Sequence, residues 1–208
     1  MIASHEAPDL FGNPDQAIPT APDHLAVLHA RLASAAATGG ILDVAYRTLD
    51  TPLGSLLLAA TELGLVRVGY ASEGHDSVLQ ALAERVSPRI LRAPARLDTV
   101  ATELDEYFAG RRRSFDLPLD WRLSAGFRST VLHHLASDLR YGQTASYGAV
   151  AELAGNPGAA RAVGSACATN PLPVIVPCHR VVRVDGSLSG YLGGTEARRT
   201  LLTLETVA

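Results

Sequence analysis

Between Ile41 and Ala71 short apolar runs alternate with turn signals: Asp43–Thr48, the turn Thr51-Pro-Leu-Gly54, Ser55–Ala60, the turn Glu62-Leu-Gly64, and Leu65–Tyr70. Runs of this length bounded by Pro and Gly predict a strand meander. The period then becomes helical over His75–Val86 and again over Arg96–Phe108, and Ser114–Leu119 reads as a returning strand. Residues 41–121 therefore predict a small domain of helices and a mainly antiparallel sheet. Nothing in it looks catalytic, which leaves it the work of supporting its neighbour. Ahead of it, residues 1–22 are rich in Pro, Asp and Ala with little periodicity and read as a mobile leader. Leu25, Leu28 and Leu32 recur at helical spacing over His24–Ala37 until Gly39-Gly40, predicting a short amphipathic helix packed on the domain. Residues 1–40 carry no readable function.

Gly110 to Arg113 opens a linker, the boundary falls near Trp121, and residues 122–208 change character to helices joined by Gly and Pro turns. Phe127, Val131, Leu135 and Leu139 trace one helix face. Ser146 is placed to cap a helix over Tyr147–Ala154, which Gly155-Asn-Pro157 ends. A further helix from Gly158 to Ala168 is stopped by Asn170-Pro171. Two short helices around a tight turn predict a helix-turn-helix with the second as recognition helix. Its small residues Ala159, Ala160 and Gly164 allow close approach to a groove, and Arg161 is its single charge.

Length and charge narrow the partners. At 208 residues with 47% hydrophobic content the chain holds one ordinary domain or two small ones. A net charge of −3 argues against indiscriminate nucleic-acid binding. The charge is uneven, however: residues 123–208 carry seven Arg against five acids, and residues 1–122 eleven Arg against sixteen, so any DNA face belongs to the second half. No long uncharged apolar run and no basic start of a secretory signal are present, so a cytoplasmic protein without membrane contact is expected. Cys167 and Cys178 make no disulfide framework and match no zinc spacing, and His5, His24 and His29 lack partners at a recognised spacing, so no metal is expected.

The chemistry concentrates at Pro177-Cys-His-Arg180, where a thiol stands beside an imidazole able to take its proton. The bland alternative is a buried, inert cysteine. The run Asn170-Pro-Leu-Pro-Val-Ile-Val-Pro-Cys-His-Arg-Val-Val182 resembles the active-site signature of the O6-alkylguanine-DNA alkyltransferases. The resemblance continues through Tyr141-Gly-Gln-Thr-Ala-Ser-Tyr-Gly148, Ala154-Gly-Asn-Pro-Gly-Ala-Ala-Arg-Ala-Val-Gly164, Gly190-Tyr-Leu-Gly-Gly194 and Leu201-Leu-Thr-Leu-Glu205. Blocks in this order over the last third of the chain are far more specific than a Cys-His-Arg triplet.

That resemblance implies an α+β protein whose C-terminal domain is a mostly helical, winged helix-turn-helix-like unit carrying the Pro-Cys-His-Arg site. It implies that Cys178 takes the alkyl group from guanine O6 in double-stranded DNA, once per protein and without a cofactor, and acts as a monomer whose cooperativity on DNA stays open. His179 accepts the thiol proton through a water and Glu205 orients the imidazole. Tyr147 promotes extrusion of the base and protonates it, and Asn170 ties the recognition helix to the active-site segment. Arg161 intercalates from the minor groove; Arg180 buttresses the turn and is grouped with the DNA-facing residues. The carbonyls of Cys178 and Val181 and the amide near Leu192 read the guanine edge, while Tyr191, Pro173 and Cys167 line the pocket. Leu192 stands where some relatives carry a small polar residue, implying a bulkier alkyl-side wall. Three rival readings fit less well. Non-catalytic lesion-recognition proteins of this fold lack the reactive cysteine, a damage-responsive regulator would carry a cysteine cluster in residues 1–40, and a thiol hydrolase leaves the helix-turn-helix unexplained.

Overall fold

This computed structural model describes residues 22–188 and 190–207, so the leader before Pro22, with His5, lies outside the described residues. The meander is built of β1 (Val44–Thr51), β2 (Gly54–Thr61) and β3 (Gly64–Tyr70), antiparallel neighbours whose tight turns pair Thr51 with Gly54 and Thr61 with Gly64. A strand not predicted from the sequence, β4 (Ile90–Arg92), adds parallel to β1, giving the order β3-β2-β1-β4. Three residues are too few for a period to register. The central strand β2 serves two layers through alternate side chains. Leu57 and Ala59 meet Val78 and Leu82 of α2 (His75–Arg85), whereas Leu56, Leu58 and Ala60 join Val100, Leu104 and Tyr107 of α3 (Asp98–Phe108).

Two expectations are corrected. Ser114–Leu119 forms no strand; a single parallel bridge joins Leu119 to Leu65, with Leu65 N donating to Pro118 O and Asp120 N to Leu65 O. Pro118 has no N–H with which to extend a ladder. Gly64 is needed at this crossing, since a Cβ there would lie 2.1 Å from the Pro118 carbonyl oxygen. The predicted first helix exists as α1 (Pro22–Thr38), but Leu25, Leu28 and Leu32 are 53%, 44% and 55% exposed. Its buried contact is made instead by Ala36 against Leu42, Ala45 and Ala93, where a small side chain lets the helix axis come close.

The second half comprises α4 (Gly126–Asp138), β5 (Ala145–Ser146), α5 (Tyr147–Leu153), α6 (Ala160–Ala168), β6 (Val181–Val182) and α7 (Gly194–Val207). Val131, Leu135 and Leu139 of the predicted stripe are buried together with Leu132. Ser146 caps α5 by accepting from Ala149 N at 3.1 Å, and α5 ends where Gly155 turns at φ +74°. β5 and β6 pair in parallel, Ala145 with Val181 and Ser146 with Val182, which sets the start of α5 beside the Cys178–Arg180 turn. One continuous core runs from β2 through α3 to α4, α5 and α6, so both halves of the chain share it.

Candidate active site

Every residue from Asn170 to Val181 is buried. Pro171, Pro173 and Pro177 suit such a path because they carry no N–H to leave unsatisfied. Asn170, with no exposed surface, supplies what the irregular backbone lacks: its Nδ2 donates to Val176 O at 2.9 Å and to Cys178 Sγ at 3.1 Å, and its Oδ1 accepts from Leu172 N at 3.0 Å. Between them Val174 sits at φ +74°, a left-handed conformation costing a β-branched residue about 1–3 kcal/mol, and is held there by almost complete burial.

Cys178 opens the short 3-10 turn Cys178–Arg180 and is 2% exposed. Burial pushes its thiol pKa up, opposed by the hydrogen bond from Asn170 and by the Arg198 guanidinium. Burial likewise pushes the His179 imidazole down, so thiol and imidazole both rest neutral. The His179 Nε2 lies 2.9 Å from Glu205 Oε1. A carboxylate accepts there, so Nε2 carries the proton and Nδ1 presents its lone pair. Nδ1 is itself buried and makes no hydrogen bond among the described residues. The pair is thus a neutral thiol followed in the chain by an imidazole of fixed tautomer with a free lone pair, groups that can serve general-base activation.

Glu205 is 4% exposed on α7 and is surrounded by donors: Tyr107 Oη at 2.6 Å, Arg180 Nε and Nη2 at 2.9 and 2.8 Å, and Gly142 N at 3.3 Å, besides His179. Burial acts to raise its pKa, but the hydrogen bonds from His179, Arg180 and Tyr107 prevail and hold it at about 2. It is a fixed carboxylate. Arg180 departs from its grouping with DNA-facing residues. It is 6% exposed and turned inward, gripping Glu205 in a bidentate pair and donating to Leu139 O, so its guanidinium is committed to the turn.

Arg161 is exposed on α6 with Ala159, Ala160 and Gly164 partly exposed, and a Cβ at position 164 would lie 3.9 Å from the Tyr147 ring. Pro173 and Cys167 are buried, whereas Tyr191 and Leu192 are partly exposed, Leu192 facing the cleft beside Arg67 and Pro171. Arg198 went unread in the sequence. Almost wholly buried, it donates from Nε to His179 O at 3.2 Å and from Nη2 to Val181 O, so one lone pair of that carbonyl is already engaged. A helical stripe through Arg198, Leu201 and Glu205 was the available signal. Tyr107, from the other half of the chain, offered none.

Fold and site together define a two-part protein in which a buried cysteine, next to a histidine that is bonded to a glutamate, follows a pair of short helices. Residues 44–121 match the family model described as 6-O-methylguanine DNA methyltransferase, ribonuclease-like domain, and residues 126–207 the one described as 6-O-methylguanine DNA methyltransferase, DNA binding domain. The chain belongs to the methylated-DNA–protein-cysteine methyltransferase family. It is 39% identical to the methylated-DNA–protein-cysteine methyltransferase of Mycolicibacterium paratuberculosis, over 78% of this chain and 92% of that relative. The constitutive enzyme of that name from Bacillus subtilis is 35% identical over 78% and 96% of the two chains. A crystal structure of Mycobacterium tuberculosis OGT in complex with DNA superposes with a TM-score of 0.66 at 38% identity, covering 78% of this chain and 93% of that one.

Proposed function

We propose that this protein repairs DNA by moving the alkyl group of O6-alkylguanine, and less readily of O4-alkylthymine, onto Cys178 in one irreversible step. The observation that carries this reading is the buried Cys178 thiol, held by Asn170 beside an imidazole that Glu205 fixes from behind. In this reading α6 lies in the minor groove and Arg161 fills the stack while the damaged nucleotide is turned out into the pocket. Sγ attacks the alkyl carbon, forming the S–C bond as the C–O6 bond breaks. The thiol proton passes through a water to His179 Nδ1, and Tyr147 donates a proton to the departing guanine. A thioether is a poor leaving group, so each molecule reacts once. Residues 41–121 support residues 122–208, and the protein works as a cytoplasmic monomer.

Mass spectrometry of the intact protein and its peptides, after incubation with a duplex carrying one O6-methylguanine, tests this directly. One methyl gained on the Cys178 peptide, and no more than one per protein, is the expected result. Tight binding with no mass change would move the protein to lesion recognition without repair. Arg161→Ala is expected to slow transfer from a fully paired duplex roughly tenfold, and least on mismatched or single-stranded substrates that are already unstacked. Equal slowing on all three in single-turnover assays would remove Arg161 from the flipping step.

A further inference from the structure

A cleft of about 420 Å³ opens between α2 and β3 of one half of the chain and the first turn of α4 and last turn of α6 of the other, and its walls include Arg67, Ser77, Arg85, Arg128, Ala168 and Thr169. Arg67 is neutralised by its ion pair with Glu73 and donates to the Asn170 and Pro171 carbonyls. Arg85 and Arg128 have no such partner. The Nη2 atoms of both donate to the Leu123 carbonyl oxygen, at 3.5 and 2.8 Å, and neither guanidinium meets a carboxylate among the described residues. The first turn of α4, which holds Arg128, carries no acidic side chain either. One carbonyl oxygen cannot neutralise two guanidiniums, so like charges converge here with N–H donors to spare.

The cleft lies at the end of the face that α6 turns outward. Arg161, Ser165 and Ala168 are exposed at i, i+4 and i+7, one stripe along the helix, and exposed Thr169 follows them. Seven residues of helix put Ala168 about 10 Å from Arg161. Arg161 is the single charge on α6, so a helix laid along a DNA groove must find further phosphate contacts outside itself, and those contacts carry most of the affinity. A minor groove is about 6 Å wide, so its backbones run close on both sides of an inserted helix and within reach of long side chains at its end.

We propose that Arg85 and Arg128 form a phosphate seat that extends the DNA-binding face of α6 onto the N-terminal half, holding one phosphodiester of the backbone beside the groove. The inference rests on α6 being the element that meets DNA. Guanidinium forks match phosphate oxygens, and a bound phosphodiester supplies the negative charge that the Leu123 carbonyl lacks. Arg85 is exposed and Arg128 half-buried, so both keep surface to offer. Because Arg85 closes α2 and Arg128 lies in the first turn of α4, one phosphate bridges the two halves of the chain at the mouth of the cleft. A contact of this kind fixes where the duplex lies without reading its sequence. The chemistry is that of a phosphate anion, and the place of the cleft at the end of the Arg161 stripe favours the DNA backbone over free phosphate as its source.

The test titrates the full-length protein onto fluorescent duplexes with and without O6-methylguanine across a range of salt concentrations. Combining Arg85→Met with Arg128→Met should weaken binding to both duplexes alike, roughly three- to tenfold, and lower the slope of log affinity against log salt by about one. Arg85→Met alone, at an exposed helix end, should move both quantities in the same direction even if the double variant fails to fold. Arg85→Lys, which restores the charge without the fork, should bring back most of the slope. Wild-type affinity and slope in Arg85→Met and in the double variant would overturn the seat, as would a loss confined to the lesion-bearing duplex. Inorganic phosphate separates the two sources of the anion. If it raises the melting temperature of the wild-type protein but not of the double variant, while duplex binding keeps its slope, the cleft holds a free anion and the DNA assignment is overturned. Binding is read without methyl transfer, so this inference and the proposed function fail separately. A wild-type protein that takes no methyl, yet shows a slope dependent on Arg85 and Arg128, keeps the seat and loses the repair reading; methyl transfer with an unmoved slope does the reverse.

Discussion

Cys178→Ser is expected to abolish methyl transfer, by roughly a thousandfold or more, while leaving the fold and lesion binding in place. A serine hydroxyl gives up its proton far less readily than a thiol, and the neutral His179 imidazole is too weak a base to make good that difference. The environment tolerates the change. Asn170 Nδ2 retains its bond to Val176 O, so losing the softer sulfur contact does not orphan the amide, and oxygen is smaller than sulfur in a site that is 2% exposed. The exposed residues of α6 are not among the thiol's hydrogen-bond partners. Intact mass, thermal melting and a mobility shift on lesion-bearing duplex check the three parts together. One methyl still gained per protein would place the acceptor elsewhere; Cys167, buried on α6 with its pKa pushed up by desolvation, is the thiol such a result would point to.

What the sequence made legible followed from how local each feature is. The β1–β3 meander is written in consecutive residues, with Pro52, Gly54 and Gly64 marking its turns. Cys178, His179 and Asn170 belong to one buried segment, so a thiol, a base and a hinge amide are adjacent on the page as in space. Glu205 lies 26 residues from His179 and was reachable only through the family resemblance. Tyr107 and Tyr70 were not reachable at all: periodicity marks them as core, and only the shared core brings their hydroxyls to Glu205 and Tyr191. The inward turn of Arg180 became clear once its carboxylate partner was located. For α1, spacing found the helix and not its buried face, because leucines at i, i+3 and i+7 look the same whether they meet a core or solvent.

Glu205→Gln is expected to cost about 3–5 kcal/mol of stability and to slow transfer by roughly two to four orders of magnitude. The amide has nearly the shape of the carboxylate but removes the charge, leaving the inward-turned Arg180 guanidinium buried without its counter-ion. Its two ends also differ, so the fivefold acceptor role cannot be kept, and the hydrogen bond that fixes the His179 tautomer is weakened. The acid limb of the stability curve gives an independent reading. A carboxyl held at about 2, against an ordinary 4.5, contributes stability that is complete above 4.5 and is lost as pH falls through that value toward 2. The displacement corresponds to roughly 3 kcal/mol. Urea unfolding should therefore show a steeper decline over this window in the wild-type protein than in Glu205→Gln, where Asp43, Asp120, Asp138 and Asp185 still contribute, and the same acid slope in both would remove Glu205 from the stabilising network. Combining Glu205→Gln with Arg180→Met separates its two roles. Removing both charges should recover much of the stability, because the stranded cation is gone, but none of the transfer rate, because the imidazole still lacks the carboxylate that orients it.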